Sequence, residues 1–442
     1  MDITTIRTDG LGDSTYVLTY KGQAVIVDPQ RDIERILVEL ADVTPRFILE
    51  THLHNDYVSG ARDLAKKTGA ELVLPAAAAP AYRHTPAFHL EELEHGDGMT
   101  IQPLHTPGHT PEHTSYLIML EDRPVFVFSG GSLLVGSAGR PDLLGEERAD
   151  TLARLQYGSV MRLAELPDDV GLYPTHGAGS FCTATKAARD TSTIGEEKKN
   201  NPVLLFPDED TFVKSQLGGL VPYPRYYAEM GPANLYGYPP PPDSKPQAIS
   251  ADQLGRFPEA HIVDIRDRRA FAGGHIPGSI GIEHGKDFAV WTGWLLPFNA
   301  ELVLVADQDQ DVDMAIDDLS RIGFDRVVAV VTELSGYPDE LRSYEVVTPE
   351  KARDLELQTL DVRDPIEWKT QHLDGSVWRY LPDLFAHGVP EAISRNERVL
   401  VVCRTGNRAS IASSLLLDSG YQPVVVVDGG VAEMADQAVA HS

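Results

Sequence analysis

From residue 248 onward the chain repeats itself at a constant offset, the 97 residues that separate Val263 from Leu360. VDIRD at 263–267 matches LDVRD at 360–364. GGHIPGSI at 273–280 matches TQHLDGSV at 370–377, which sets His275 over His372 and Gly278 over Gly375. ELVLVA at 301–306 falls on RVLVVC at 398–403, and SRIGF at 320–324 on LDSGY at 417–421. Four segments hold one register without a gap, so 248–345 and 346–442 read as two copies of one domain. Each copy alternates strand and helix patterns, which predicts a parallel sheet with helical cover. Just ahead lies YGYPPPPDSKPQ, 236–247, whose four consecutive prolines suit a semi-rigid connector and no core element.

The remaining 1–235 is long enough for a core of its own. Short β-rich runs (YVLTY, AVIVDP, RFILE, ELVLP, SYLIML, PVFVF, VGLYP) alternate with helical patterns near 31–41, 59–69 and 148–166. That is an α/β layered domain. A net charge of −28 argues against nucleic-acid backbones and anionic membranes, both of which need basic patches. No apolar run approaches the ~20 residues of a bilayer span, and MDITTIRTDG has no basic stretch followed by an apolar run, so no secretory leader is expected. Two cysteines cannot make a disulfide framework, so a cytoplasmic setting is expected.

Histidines and aspartates carry the chemistry of the first domain. ETHLHNDYVSG, 50–60, follows the strand RFIL and sets His52, His54 and Asp56 on alternate positions beyond a strand end. Imidazole and carboxylate there suit Zn or Fe(II). HTPGHTPEHTSY, 105–116, and YPTHGAG, 173–179, add His109 and His176 in turns beside strands, where functional groups commonly sit on a rigid scaffold.

THLHND, TPGHT, GRPDLLG and YPTHG together resemble the metallo-β-lactamase fold, and within it the persulfide dioxygenase branch related to glyoxalase II. The resemblance implies an αββα sandwich. It also implies one Fe(II), with Zn as the alternative, and oxidation of a low-molecular-weight thiol persulfide to sulfite. By motif position His52 and His109 match the iron histidines, and Arg140 and Asp142 match a segment lining the substrate pocket. Two positions depart from the pattern: Tyr57 stands where a further histidine is usual, and Gly131, in FSGGS, stands where a carboxylate ligand is expected. What remains is a three-histidine set, His52, His54 and His109, with Asp56 and His176 as a partial second site.

RVLVVCRTGNRAS, 398–410, runs from an apolar strand through Cys403 into a tight loop and a helix. Such a loop with a helix N-terminus cradles an anion, and Arg404 and Arg408 beside it predict a reactive thiolate. CRTGNR, with DVRD and QHLDG, resembles the rhodanese active loop. That implies catalysis by Cys403, Arg404 and Arg408, with Gly406 and Asn407 binding a sulfur-bearing anion without any cofactor. Four residues separate Cys403 from Arg408, one fewer than in cysteine phosphatases. In the first copy Ala306, Asp307 and Asp311 replace Cys403, Arg404 and Arg408, which predicts a catalytically silent module. Its DQDQDVD loop falls short of an EF-hand.

Joined, these parts resemble persulfide dioxygenase–rhodanese fusions: an αββα sandwich followed by two rhodanese-like α/β domains with parallel sheets. The expected partners are a thiol persulfide and sulfite or thiosulfate, with no nucleic acid and no membrane. Homo-oligomerisation is left open. A one-metal thioester hydrolase fused to a sulfurtransferase, or a sulfur carrier or sensor with a metal-free first domain, are the alternatives. Cys182, in GAGSFC, is read either as a sulfur acceptor or as packing.

Overall fold

A computed structural model describes residues 1–177, 179–182, 189–242 and 244–435. It divides into two compact units, Met1–Pro241 with Asp317–Gly323, and Pro242–Ile316 with Phe324–Ser442.

The first unit holds two six-stranded sheets. One runs in the order Asp2–Thr8, Asp13–Tyr20, Gln23–Val27, Thr44–Leu49, Glu71–Pro75, Thr85–Ala87. Its first three strands are antiparallel, and the pairings after them are parallel. The other runs Ser192–Thr193, Gly171–Pro174, Arg123–Gly130, Thr114–Leu120, Met99–His105, Leu93–Gly96.

Side-chain parity builds four layers from these sheets. Tyr16, Leu18, Val25, Val27, Phe47 and Leu49 point inward and meet Tyr116, Ile118 and Phe128 of the opposite sheet. Their neighbours Val17, Ala24, Ile26 and Ile48 point outward onto Ile36 and Leu64 of the helices Ile33–Glu39 and Ala61–Thr68. Across the sandwich Leu117, Val127 and Leu172 pack on Ala153, Val160 and Leu163 of Glu146–Ala164, and on Phe212 of Glu209–Gly218. Strands apolar on both faces therefore have helices outside and each other inside, which is the expected αββα sandwich.

Both sheets of the second unit are five-stranded and wholly parallel, with one strand order. The first copy runs Gln247–Ile249, Val327–Val331, Leu302–Val305, His261–Asp264, Ile280–Gly281. The second runs Glu345–Val347, Gln422–Val426, Arg398–Val402, Gln358–Asp361, Val377–Trp378. The repeat persists in individual hydrogen bonds. Arg266 forks onto Asp264 and reaches the carbonyl of Gly274; Arg363 does the same to Asp361 and Gln371. His275 Nδ1 bonds the Phe271 carbonyl at 2.8 Å and stacks on its ring, as His372 does with Trp368 at 3.0 Å. Gly278 and Gly375 turn the chain at φ +80° and +75°, a conformation favouring glycine.

Among the described residues no helix is long and apolar enough to cross a membrane.

Candidate metal centre and cysteine loop

Three strand ends converge on one buried carboxylate. Asp28 follows Gln23–Val27 at φ +51°. Its Oδ1 accepts the Thr51 N–H and its Oδ2 the Thr51 hydroxyl, both at 2.7 Å, and Oδ2 also accepts the Thr175 hydroxyl. Burial opposes ionisation, but the His54 charge and these donors outweigh it and hold Asp28 below the usual carboxylate range. Thr51 opens the loop carrying His52, His54 and Asp56, so the post that joins the strands also aims the histidines.

Each of three histidines has one nitrogen engaged from outside and the other left for the centre. The Thr51 hydroxyl spends its proton on Asp28, so it accepts from His52 Nδ1 at 2.9 Å; the Nε2 lone pair then faces His176 Nε2 at 3.2 Å. His109 Nδ1 donates to the Arg140 carbonyl at 2.8 Å, and its Nε2 has no partner. His54 Nε2 lies 2.9 Å from Glu50 and 3.2 Å from Asp28, leaving Nδ1 without a partner while the ring stacks on Tyr57. Burial, reinforced by neighbouring imidazoles, keeps His52 well below its ordinary value and pulls His109 down to about 3. Both are therefore neutral, as ligation requires.

A second cluster adjoins the first. His176 Nδ1 lies 2.8 Å from Asp13 and 3.3 Å from Asp56, and the Cys182 thiol donates to Asp56 at 3.3 Å. Against burial, the charges of Asp56 and Asp13 push His176 up to about 10, while burial and the Asp56 charge push Asp13 up to about 7. Asp56 Oδ1 and Asp13 Oδ2 are buried without hydrogen-bond partners. Donor atoms of His52, His54 and His176 lie within 4.8 Å of one another, as do those of His109, His176 and Cys182, and of Asp13, Asp56 and His176. Buried nitrogen and oxygen atoms without partners, backed by outer hydrogen bonds, fit a divalent transition-metal ion.

Gly131 has a steric reason. A Cβ there would lie within 2.7 Å of His109 Cγ and Nε2, so the imidazole fills the space an aspartate would need. Next to it, Gly130 sits at φ +54°, where a Cβ would meet Thr51 at 2.5 Å. The Gly131 N–H donates to His113 Nε2 at 2.9 Å, and His113 Nδ1 pairs with Thr106 at 2.9 Å. Both nitrogens of His113 are thus used in holding the strand end.

Asp13, Asp28, Glu50 and His113 were not singled out by sequence reasoning. His113 and Glu50 lie in the quoted histidine segments, whereas Asp13 and Asp28 carry no local signal. Arg140 departs from its expected pocket role. Only 2% exposed, it forks onto Asp142 with both bonds at 2.7 Å, donates to the carbonyls of Phe181 and Val221, and lies over the Tyr223 ring. Its own N–H binds the Cys182 carbonyl at 3.0 Å. With four of its five N–H donors committed, Arg140 clamps the loop that delivers Cys182, and its fork is taken by Asp142.

In the second unit Cys403 ends the strand Arg398–Val402 and is 1% exposed. Its Sγ accepts the Gly406 N–H at 3.1 Å. Gly406 caps the helix Asn407–Asp418 at φ +96°, and a Cβ there would press on the Val426 carbonyl at 2.9 Å. Asn407 opens that helix and is half-buried, while Arg404 is exposed. Arg408 differs from expectation: its fork is bidentate on Glu367, at 2.5 and 2.9 Å. Burial opposes ionisation of Glu367, yet Arg408 draws it down to about 2. The Arg408 charge is therefore shared with a carboxylate rather than given wholly to the thiol. Arg268 of the first copy reaches into this loop and donates to the Thr405 carbonyl at 3.1 Å.

In the first copy Ala306 occupies the cysteine position, buried and without a nucleophile. The Gln310 side chain accepts the Asp307 N–H at 3.2 Å and donates to the Ile265 carbonyl at 2.7 Å, so it fills the loop. Asp311 accepts the Met314 N–H at 3.2 Å.

Two family patterns match along the chain. The metallo-beta-lactamase superfamily pattern matches residues 8–176, and the rhodanese-like domain pattern matches 250–333 and 348–437. Hydroxyacylglutathione hydrolase GloC of Haemophilus influenzae is 28% identical over 203 residues, covering 41% of this chain and 87% of its own. Hydroxyacylglutathione hydrolase of Pseudomonas putida strain GB-1 is 32% identical over 209 residues, covering 45% and 75%. Other hydroxyacylglutathione hydrolases are matched over 58 to 60% of their length. A solved metallo-beta-lactamase from Staphylococcus aureus subsp. aureus COL is 29% identical with a TM-score of 0.69, covering 75% of this chain and 99% of its own. Through residues 8–176 the chain belongs to the metallo-beta-lactamase superfamily, and through 250–333 and 348–437 it carries two rhodanese-like domains.

Proposed function

We propose that this protein works in sulfane-sulfur metabolism, carrying sulfur as a persulfide on Cys403 and oxidising a low-molecular-weight thiol persulfide to sulfite at the metal centre. The observation that carries the reading is the bond from the Gly406 N–H to Cys403 Sγ, at the mouth of a helix and on a strand end. That donor places the sulfur against a backbone N–H at a helix N-terminus, where an incoming anion is also favoured. The Cys403 thiolate attacks the outer sulfur of thiosulfate; a bond forms at Sγ, the sulfur–sulfur bond of thiosulfate breaks, and sulfite leaves with the electron pair. An acceptor thiol or cyanide then takes the outer sulfur, and the pair of the Sγ–S bond returns to Sγ. Run in reverse, sulfite from the first site accepts the sulfur and becomes thiosulfate, and tethering both sites in one chain raises its effective concentration.

In the first unit one Fe(II), with Zn as the alternative, would be held by His52 and His109 with His54 or His176. When bound, iron would mediate the transfer of four electrons from the outer sulfur of the persulfide to O2, with water supplying the third oxygen of sulfite and the thiol leaving. The chain's own residues fix the donors: Thr51 and the Arg140 carbonyl orient the imidazoles, and Asp13 holds a proton on His176 Nδ1. A thioester hydrolase is the second reading, favoured by the hydroxyacylglutathione hydrolases among the relatives.

Cys403→Ser should abolish thiosulfate:cyanide sulfur transfer, and surviving activity would refute the loop reading. Iron content with O2 uptake on glutathione persulfide supports oxidation. A metal-loaded protein that consumes no O2 but releases thiol from a hydroxyacylglutathione thioester supports hydrolysis instead.

A further inference from the structure

Cys182 is fully buried, beside the metal centre, and the proposed sulfur chemistry does not use it. Its Sγ lies 3.3 Å from Asp56, and its donor atom falls within 4.8 Å of those of His109 and His176. Two further observations point to a ligand at this place. His109 Nε2 and Asp56 Oδ1 are buried without partners. The outer nitrogens of both histidines are taken, His109 Nδ1 by the Arg140 carbonyl and His176 Nδ1 by Asp13. Such outer partners leave the Nε2 atoms facing the ion's place, and an ion bound there displaces the proton that the charged His176 carries on Nε2.

The strand end supplies no anionic ligand, because a side chain at Gly131 would occupy the His109 ring. We propose that Cys182 is a metal ligand, its thiolate joining His109 and His176 as the anionic donor that Gly131 does not provide. Imidazole with thiolate is a donor set for Zn(II) or Fe(II), softer than the carboxylate it replaces. Ligation releases the thiol proton to solvent and ends the thiol's hydrogen bond to Asp56. Arg140 gains a purpose from this assignment: its N–H grips the Cys182 carbonyl and its guanidinium the Phe181 carbonyl, so the clamp holds the backbone that carries the ligand.

This inference rests on the metal-centre reading, and Co(II) added to the chelator-treated full chain separates the two. The Cys403→Ser variant serves as the parent, so that any thiolate signal comes from Cys182. Visible cobalt bands with a near-ultraviolet thiolate-to-cobalt charge-transfer band are expected. Adding Cys182→Ser should remove the charge-transfer band, keep the visible ones and weaken binding on the order of 100-fold, beyond the usual effect of losing an outer partner. Visible bands without charge transfer in the parent would overturn Cys182 as a ligand while leaving the metal centre intact. No cobalt bands at all would overturn both. The parent spectrum decides the matter even if the double variant fails to fold.

Discussion

Gly131→Ala is the sharpest probe of the strand end. Gly131 is absent from the positive-φ glycines, so alanine meets no backbone penalty and its cost is steric. The added Cβ would lie within 2.7 Å of His109 Cγ and Nε2, far inside contact distance, and His109 is pinned by the Arg140 carbonyl at 2.8 Å. Overpacking of this kind costs about 1–3 kcal/mol. For a unit of this size each kcal/mol moves Tm by about 2–4 °C, so a fall of roughly 2–12 °C is expected in the metal-free protein. Thermal unfolding followed by calorimetry measures it. The same substitution should displace His109 and lower metal affinity, read by titration of the apo protein. His109→Ala removes the obstacle, so the double variant should be less destabilised than the sum of the singles, by a coupling of about 1–3 kcal/mol. An unchanged Tm for Gly131→Ala, or strict additivity with His109→Ala, would refute the claim that the imidazole occupies the carboxylate's place.

Glu367→Gln should destabilise the second unit by about 1–3 kcal/mol at neutral pH, since it leaves the half-buried Arg408 charge only the more distant Asp364 carboxylate at 3.7 Å. Glu367 has its folded pKa depressed to about 2, so its contribution is full above about 4.5 and lost as pH falls toward 2. Urea midpoints of parent and variant should converge across that window, and a constant gap would contradict the ion pair. Arg268→Ala removes the donor to the Thr405 carbonyl, and a loss of about 1 kcal/mol should slow sulfur transfer roughly fivefold. Steady-state assays that match the parent would exclude that support. Ala306→Cys should not create sulfur transfer in the Cys403→Ser protein, because Gln310 fills the loop. Any cyanide-dependent turnover would contradict this.

The repeat was legible because it is local: strands, turn glycines and the bonds of Asp264 and Asp361 recur at matched positions. The alternation of apolar runs likewise exposed most strands of the sandwich. Asp2–Thr8 and Met99–His105 were not among them: the first is mostly polar and only partly buried, and the second is broken by Pro103. His52, His54, Asp56, His109 and His176 were visible as motifs, and the structure brings them into one buried cluster. Asp13 and Asp28 were not, since their partners lie far along the chain and Asp28 reads as an ordinary turn residue before proline; Glu50, whose partners His54 and Ser59 lie in its own loop, was passed over beside the histidines. Arg140 and Arg408 show a different limit. Spacing places a charge near a site but does not show which carboxylate neutralises it, and Glu367 lies 41 residues from Arg408.

The Asp28 post has one more consequence. Thr51, Thr175 and His54 are fastened to it by protein hydrogen bonds, which do not need an ion to form. Ion affinity is then not spent on building the pocket, unlike small domains that fold only around their metal. Stripped protein should keep its secondary structure and take the ion back without a refolding lag. The cell would then hold a protein whose shape persists through metal starvation while its chemistry stops, so the centre is set by supply and not by synthesis.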